Sequence, residues 1–227
     1  MGAVRIISRS GQAFANRDEA GKLLASHIGK FRGQNTVVLG IPRGGVIVAV
    51  KIAEELKMDF DVVLSHKLGA PYNPELAIGA ICEDGTFFIN TQIAAHTDAD
   101  PNYIEMEKTR QLERMTERVK QYREVLPKID LRDKVVIITD DGIATGASMQ
   151  AAAWAVRREK PRKIVLAIPV GPEDSVMEIS KDADETVCLR CPPYFAALSQ
   201  FYYEFEQVED SVLLEILERH KNKRKRK

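Results

Sequence analysis

Residues 135–148 read VVIITDDGIATGAS. An apolar run ends in two adjacent carboxylates, Asp140 and Asp141, and the small residues Gly142, Ala144, Thr145, Gly146, Ala147 and Ser148 follow. The run reads as a buried strand and the Thr-Gly-Ala-Ser stretch as the start of a helix. Backbone N–H groups at a helix start, with the hydroxyls of Thr145 and Ser148, attract anions. The two carboxylates repel an anion laid directly against them and suit hydroxyls or a Mg2+ ion. Two further stretches favour anions. In GIPRGG (residues 40–45) the Arg43 guanidinium offers a fork of donors, and Gly44 and Gly45 permit close backbone approach. In HKLGAPYNPELA (residues 66–77) Lys67 stands near the start and Glu75 further on. A sugar bearing phosphates meets all of these demands, with its hydroxyls at the carboxylates and a phosphate at the helix start. The chain contains neither GxxxxGK[ST] nor GxGxxG, which disfavours a kinase or nicotinamide enzyme of the usual kind.

The surrounding pattern predicts what positions these residues. A helix is expected over residues 17–30, with Asn16 as its cap and Ala20, Leu23, Leu24 and Ile28 on its apolar face. Strands are expected over 36–40, 61–65, 134–139, 163–168 and 185–189, and helices over 46–56, 101–123, 145–158 and 208–219. Residues 66–77 read as a mobile loop, because two prolines, a glycine and an asparagine crowd it. Residues 78–90 read as a hairpin turning at Asp84-Gly85. The helix over 101–123 alternates in charge and has only a thin apolar stripe, Ile104, Leu112, Met115 and Val119, so a solvated or dimer-contact helix is expected. Strands that alternate with helices predict an α/β fold: a mainly parallel twisted sheet with helices on both faces. In such sheets ligands bind at the carboxyl ends of the strands, where all three stretches fall.

At 227 residues the chain is long enough for one large domain, and 44% hydrophobic with 29% charged residues is ordinary globular usage. Lys+Arg and Asp+Glu each number 33, which argues against a surface built wholly for nucleic acid. The exception is the basic tail HKNKRKRK, residues 220–227, for which an RNA or membrane-surface contact is the alternative to a frayed, solvated end. No apolar run is long enough to span a membrane and the first residues lack a signal-peptide layout, so a cytoplasmic protein is expected. Cys188 and Cys191 form a lone CxxC with no second ligand pair near it, so Cys82, Cys188 and Cys191 are expected to be free or buried thiols.

VVIITDDGIATGAS resembles the ribosyl-pyrophosphate motif of the type I phosphoribosyltransferases. GIPRGG resembles their pyrophosphate loop, and HKLGAPYNPELAIGAICEDG their flexible catalytic loop and hairpin. The resemblance covers roughly residues 16–190. KLGAPYNPELAIGA, DDGIATGAS and FYYEFEQVED are similar, more narrowly, to the group known only as "predicted phosphoribosyltransferase". The resemblance implies that Asp140 and Asp141 hold the ribose hydroxyls of phosphoribosyl pyrophosphate, directly or through waters on Mg2+. It implies that Ala144, Thr145, Gly146, Ala147 and Ser148 cradle the 5-phosphate, with Gly142 giving that turn its backbone freedom. Arg43, Gly44 and Gly45 would bind pyrophosphate, with a non-proline cis peptide at Pro42–Arg43. Lys67 would fold over the pyrophosphate with Gly69 as hinge, and Glu75 would orient or deprotonate the nucleophile. Where the 6-oxopurine enzymes keep an Asp, this chain has Ala144, which argues against hypoxanthine or guanine handled in the usual way. A hood from residues 1–16 and 191–209 would complete a single domain over residues 1–219. Its aromatic residues Tyr194, Phe195, Phe201, Tyr202 and Tyr203 are expected as core first and as a base platform second. The implied activity is Mg2+-dependent transfer of a phosphoribosyl group to a nitrogen acceptor of the nucleobase kind by a homodimer. The alternatives are a regulatory or RNA-binding module that senses phosphoribosyl pyrophosphate without turnover, and phosphorolysis or hydrolysis of a ribosyl phosphate.

Overall fold

The computed structural model describes residues 2–224. Met1 and the last three residues of the basic tail lie outside the described residues. In chain order the elements are β1 (Ala3–Ser8), α1 (Arg17–Ile28), β2 (Thr36–Gly40), α2 (Gly44–Leu56), β3 (Asp59–Val62), β4 (Ser65–Ala70), β5 (Asn73–Cys82) and β6 (Phe87–Ile89). There follow α3 (Thr91–His96), α4 (Pro101–Val125), β7 (Val135–Thr139), α5 (Ala147–Arg158), β8 (Lys163–Val170), α6 (Glu173–Ile179), β9 (Glu185–Arg190) and α7 (Asp210–Arg224).

Six strands form one parallel sheet in the order β1-β9-β8-β7-β2-β3. Successive side chains of a strand face opposite ways, and both faces are buried here. Val38, Ile137, Val165 and Val187 pack with the apolar faces of α1 and α2. Val37, Ile138, Leu166 and Ile168 pack on the other side with α5 and α6. Both faces being apolar is why the central strands read as continuous apolar runs. The parallel α/β sheet with helices on both faces is thus as expected. Asn16 caps α1, its side chain accepting from the Glu19 N–H at 3.1 Å.

Three departures concern the elements around the strand ends. Residues 66–77 are not a loop: β4 and β5 are antiparallel strands, and with β6 they form a second sheet in the order β4-β5-β6. The cause is tertiary. Ala77 and Ala80 of β5 are buried against Ala147, Ala151 and Trp154 of α5, a contact that local propensity cannot register. Gly69, expected as a hinge, lies in β4 at a shift of register, and its carbonyl accepts from the Tyr103 hydroxyl at 2.8 Å. Residues 3–8, assigned from sequence to the hood, are the edge strand β1, paired with β9. Residues 14–15 do join the C-terminal segment: Phe14 N–H donates to the Phe201 carbonyl at 2.8 Å and Tyr203 N–H to the Phe14 carbonyl at 2.9 Å. Finally, α4 is not merely solvated. Met115 and Tyr122 are buried, and the Tyr122 hydroxyl donates to Asp210 of α7 at 2.5 Å.

Candidate active site

The carboxyl ends of β3, β2 and β7 lie side by side, and each releases the chain into one of the three stretches. After β2 the chain turns through a cis Pro42–Arg43 peptide, as expected, into α2 at Gly44. After β7 it passes Asp140 and Asp141 and enters α5 at Ala147. Of the seven α-helices among the described residues, α2 and α5 start with neither a side-chain cap nor an acid in the first turn. The others carry a capping Asn or Asp or begin with acids, as Asp18 and Glu19 do in α1. Uncapped N–H groups at a helix start attract an outside anion, and at α2 the Asp140 and Asp141 carboxylates stand close by, a Cβ on Gly44 lying 1.9 Å from Asp141 Oδ2. Gly146, just before α5, has φ +82°, a left-handed conformation that favours glycine, and a Cβ there would lie 2.6 Å from Ile179. Gly142 has no such φ. Its missing side chain leaves room for Leu198, whose Cδ1 would be 2.2 Å from a Cβ, so this glycine serves packing against the hood segment and not backbone freedom.

Lys67, Glu75, Asp140 and residues 142–149 line one cleft of about 190 Å3. Lys67 Nζ is paired with Glu75 Oε2 at 2.8 Å across the β4–β5 strands. Thr145 Oγ1 faces the first turn of α5, accepting from Ala147 N–H at 3.4 Å, and Ser148 stands exposed one residue further. The Ala144 carbonyl accepts from the Ser175 hydroxyl at 2.7 Å, which ties the turn to α6. Asp140 Oδ1 accepts from the Asp141 N–H at 2.8 Å. Burial, then the neighbouring Asp141 charge, holds the Asp140 carboxyl well above the usual carboxylate range.

Asp141 does not face this cleft. Its Oδ2 accepts from Arg17 Nε at 2.8 Å, and its carbonyl accepts from the Tyr202 hydroxyl at 2.5 Å. Arg17 in turn donates to the Glu206 carbonyl at 3.0 Å and lies over the Phe205 ring at 4.1 Å. Arg17, Arg43 and Gly44, with residues 205–208, line a second cleft of about 350 Å3. Arg43 is paired loosely with Glu209 at 3.9 Å. Gly45 packs against the Asp140 backbone, where a Cβ would lie 2.7 Å from Asp140 Cα. The predicted residues therefore fall into two adjoining groups, with Asp140 in one and Asp141 in the other. Sequence reasoning missed Arg17. Its one signal is position, since an arginine opening a helix sits where acids are preferred. Among the aromatic residues, Phe201 and Tyr202 are buried, whereas Tyr194 and Tyr203 are 73% and 80% exposed. Cys188 and Cys191 are buried free thiols with Sγ atoms 3.5 Å apart, and Cys82 is free and half-buried.

The sequence model of the phosphoribosyl transferase domain matches residues 12–206, and the chain belongs to that family. Proteins of two Mycobacterium tuberculosis strains, each named "Putative phosphoribosyl transferase", are 40% identical to it over 206 residues. The match covers 91% of this chain and 46% of theirs, so the chain spans about half the length of these curated relatives. The crystal structure of TT1426 from Thermus thermophilus is similar at 40% identity with a TM-score of 0.87, covering 92% of this chain and 99% of that one. Among the described residues no helix is long and apolar enough to cross a membrane.

Proposed function

We propose that the chain transfers a phosphoribosyl group from phosphoribosyl pyrophosphate to a nitrogen acceptor of the nucleobase kind, releasing pyrophosphate. The observation that carries this reading is the cleft in which Asp140, the uncapped start of α5 and the Lys67–Glu75 pair face one another. Residues 144–148 hold the 5-phosphate through α5 N–H groups and the hydroxyls of Thr145 and Ser148. Asp140 takes the ribose hydroxyls. Arg43, Gly44 and Gly45 at the second uncapped helix start take the pyrophosphate, and Lys67 adds a cation from the β4–β5 hairpin.

In the reaction the bond from the anomeric carbon to the pyrophosphate oxygen breaks and a bond to the acceptor nitrogen forms. The leaving group departs with the electron pair, and Arg43 and Lys67 stabilise its charge. Glu75, held by Lys67, orients the acceptor and takes the proton its nitrogen loses. The described residues contain no cluster of three or more His, Cys, Asp or Glu able to hold a metal. Asp140 and the substrate's own oxygens suit Mg2+, which typically keeps waters and binds through one or two carboxylates plus phosphates. When bound, that ion supplies neutralisation of the pyrophosphate charge. Asp141, already paired with Arg17, is a weaker candidate ligand than expected. The hood then comprises residues 9–16 with 191–209, within one domain reaching residue 219, and the exposed Tyr194 and Tyr203 are its candidates for an acceptor platform.

The test is release of pyrophosphate from phosphoribosyl pyrophosphate and Mg2+ across a panel of nucleobases and amines. Release that depends on an added acceptor and falls in Asp140→Asn is expected. Failure of the whole panel overturns the reading.

A further inference from the structure

A cavity of about 450 Å3, the size of a small-molecule site, lies between α4 and the β4–β5 hairpin. Its floor is apolar, made by Ile41 after β2, Val63 and Leu64 after β3, and Met115 and Val119 of α4. Its rim is cationic. Arg110, Arg114 and Arg118 are spaced by four residues along α4 and line one side together. Like charges stacked at this spacing destabilise a helix by a few tenths of a kcal/mol per pair. Acids answer only two of the three. Glu107 is paired with Arg110 at 2.6 Å and Asp210 with Arg118 at 3.7 Å, while Arg114 has no ion-pair partner among the described residues. The excess charge is felt inside the cavity. Burial lowers the His66 pKa, a hydrogen bond to Gln111 partly opposes it, and the charges of Arg118 and Arg114 lower it further.

We propose that this cavity binds an organic monoanion with a flat apolar body, a carboxylate whose acidic group is held by Arg114 beside Arg118. The apolar floor takes the body of the ligand, and the guanidinium fork takes two oxygens of the acid. The arginines come from α4, outside the three stretches assigned to phosphoribosyl binding, so the inference goes beyond that reading. The cavity nevertheless meets the phosphoribosyl cleft at Lys67, Glu75 and Ser148, which line both. A ligand here is therefore either an acceptor substrate or an effector that touches the same hairpin.

The experiment measures calorimetric affinities of the full chain for benzoate and pyridine-3-carboxylate against their neutral carboxamides, without phosphoribosyl pyrophosphate. Each carboxylate is expected to bind at least about tenfold more tightly than its amide. Arg114→Gln should abolish that preference while leaving the thermal midpoint unchanged, since Arg114 is exposed and makes no ion pair among the described residues. Arg158→Gln, at the far end of α5, should keep it. Equal affinity for acid and amide overturns the proposal. So does a preference that survives Arg114→Gln and Arg118→Gln together, which would put the anion at a helix start instead. Because no phosphoribosyl donor is present, this outcome is separate from any failure of transfer. Adding the donor with Mg2+ to pyridine-3-carboxylate, the probe that carries a ring nitrogen, distinguishes the two sources: an acceptor is converted, an effector is recovered unchanged.

Discussion

Replacing Arg17 by Met tests the link between α1 and the end of β7. The Arg17 and Asp141 side chains are only 10% and 12% exposed, so their 2.8 Å pair is nearly shut off from water. Methionine keeps much of the volume and the contact with the Phe205 ring but removes the cation. Asp141 is then left as a buried carboxylate without its partner, a change that costs about 3–5 kcal/mol. For a domain of this size each kcal/mol lowers the melting midpoint by about 2–4 °C, so a fall of roughly 6–20 °C is expected. Urea denaturation at neutral pH, with the slope of the transition checked for constancy, gives the free energy directly. Asp141→Asn in the same background removes the stranded charge. The double variant should therefore lose less than the sum of the singles, by about 1–3 kcal/mol. A loss under about 1 kcal/mol in Arg17→Met, or losses that add within about 0.5 kcal/mol, would refute the argument that this pair is a coupled, desolvated unit.

Three further expectations rest on other parts of the molecule. Arg123 bridges Asp61 at 2.7 Å and Glu83 at 2.6 Å and donates to the Val62 and Leu126 carbonyls, so Arg123→Met should cost about 3–5 kcal/mol in denaturation; an unchanged midpoint would show that the cluster is not buried in solution. A Cβ on Gly44 would lie 1.9 Å from Asp141 Oδ2 and 3.0 Å from Arg17 Nε. Gly44→Ala is therefore expected to reduce turnover by about a hundredfold, whereas Gly11→Ala, with nothing within 4 Å of its Cβ, should leave it unchanged; equal rates for the two would remove Gly44 from the site. His66 has a folded pKa below its unfolded value of about 6.5, so its stabilising effect is complete above that pH and is lost as pH falls through the folded value. The melting midpoint should drop less between pH 7 and 5 in His66→Gln than in the native chain, and parallel curves would count against a buried neutral imidazole.

What could be read from sequence is what chain-local chemistry controls. The strands β2, β7 and β8 are buried on both faces, so an apolar run alone announced them, and glycines and acids directly after them marked the ligand side. Edge strand β1 alternates between exposed and half-buried residues, and Ala3–Ser8 never forms such a run. β4 and β5 were hidden by Gly69, Pro71, Asn73 and Pro74, residues that usually break strands. They pair because α5 offers Ala147 and Ala151, small enough for the hairpin to settle on. Arg17 is illegible for a different reason: its partner lies 124 residues away, and nothing in the local pattern of a helix start tells a buried arginine from a solvated one.

Placing two carboxylates in sequence at a strand end looked like a demand for one ligand to satisfy both. The fold separates them instead, because successive residues leaving an extended segment face opposite ways. Asp140 enters the cleft of the α5 cradle, and Asp141 is tied to Arg17 and, through its carbonyl, to Tyr202. The Asp141 charge still adds to burial in raising the Asp140 carboxyl, and the Arg17 charge offsets it only in part. The two positions should then fail differently when made neutral. Asp140→Asn should weaken binding of phosphoribosyl pyrophosphate with Mg2+ while the melting midpoint holds or rises, since a buried, repelled carboxylate is removed. Asp141→Asn should lower the midpoint first, because it strands Arg17, and disturb binding only through the displaced turn. Calorimetric affinity and thermal midpoint measured on both variants decide it. A binding defect confined to Asp141→Asn at unchanged stability would mean that Arg17 releases Asp141 to the ligand, and that the division of the pair does not persist when the site is occupied.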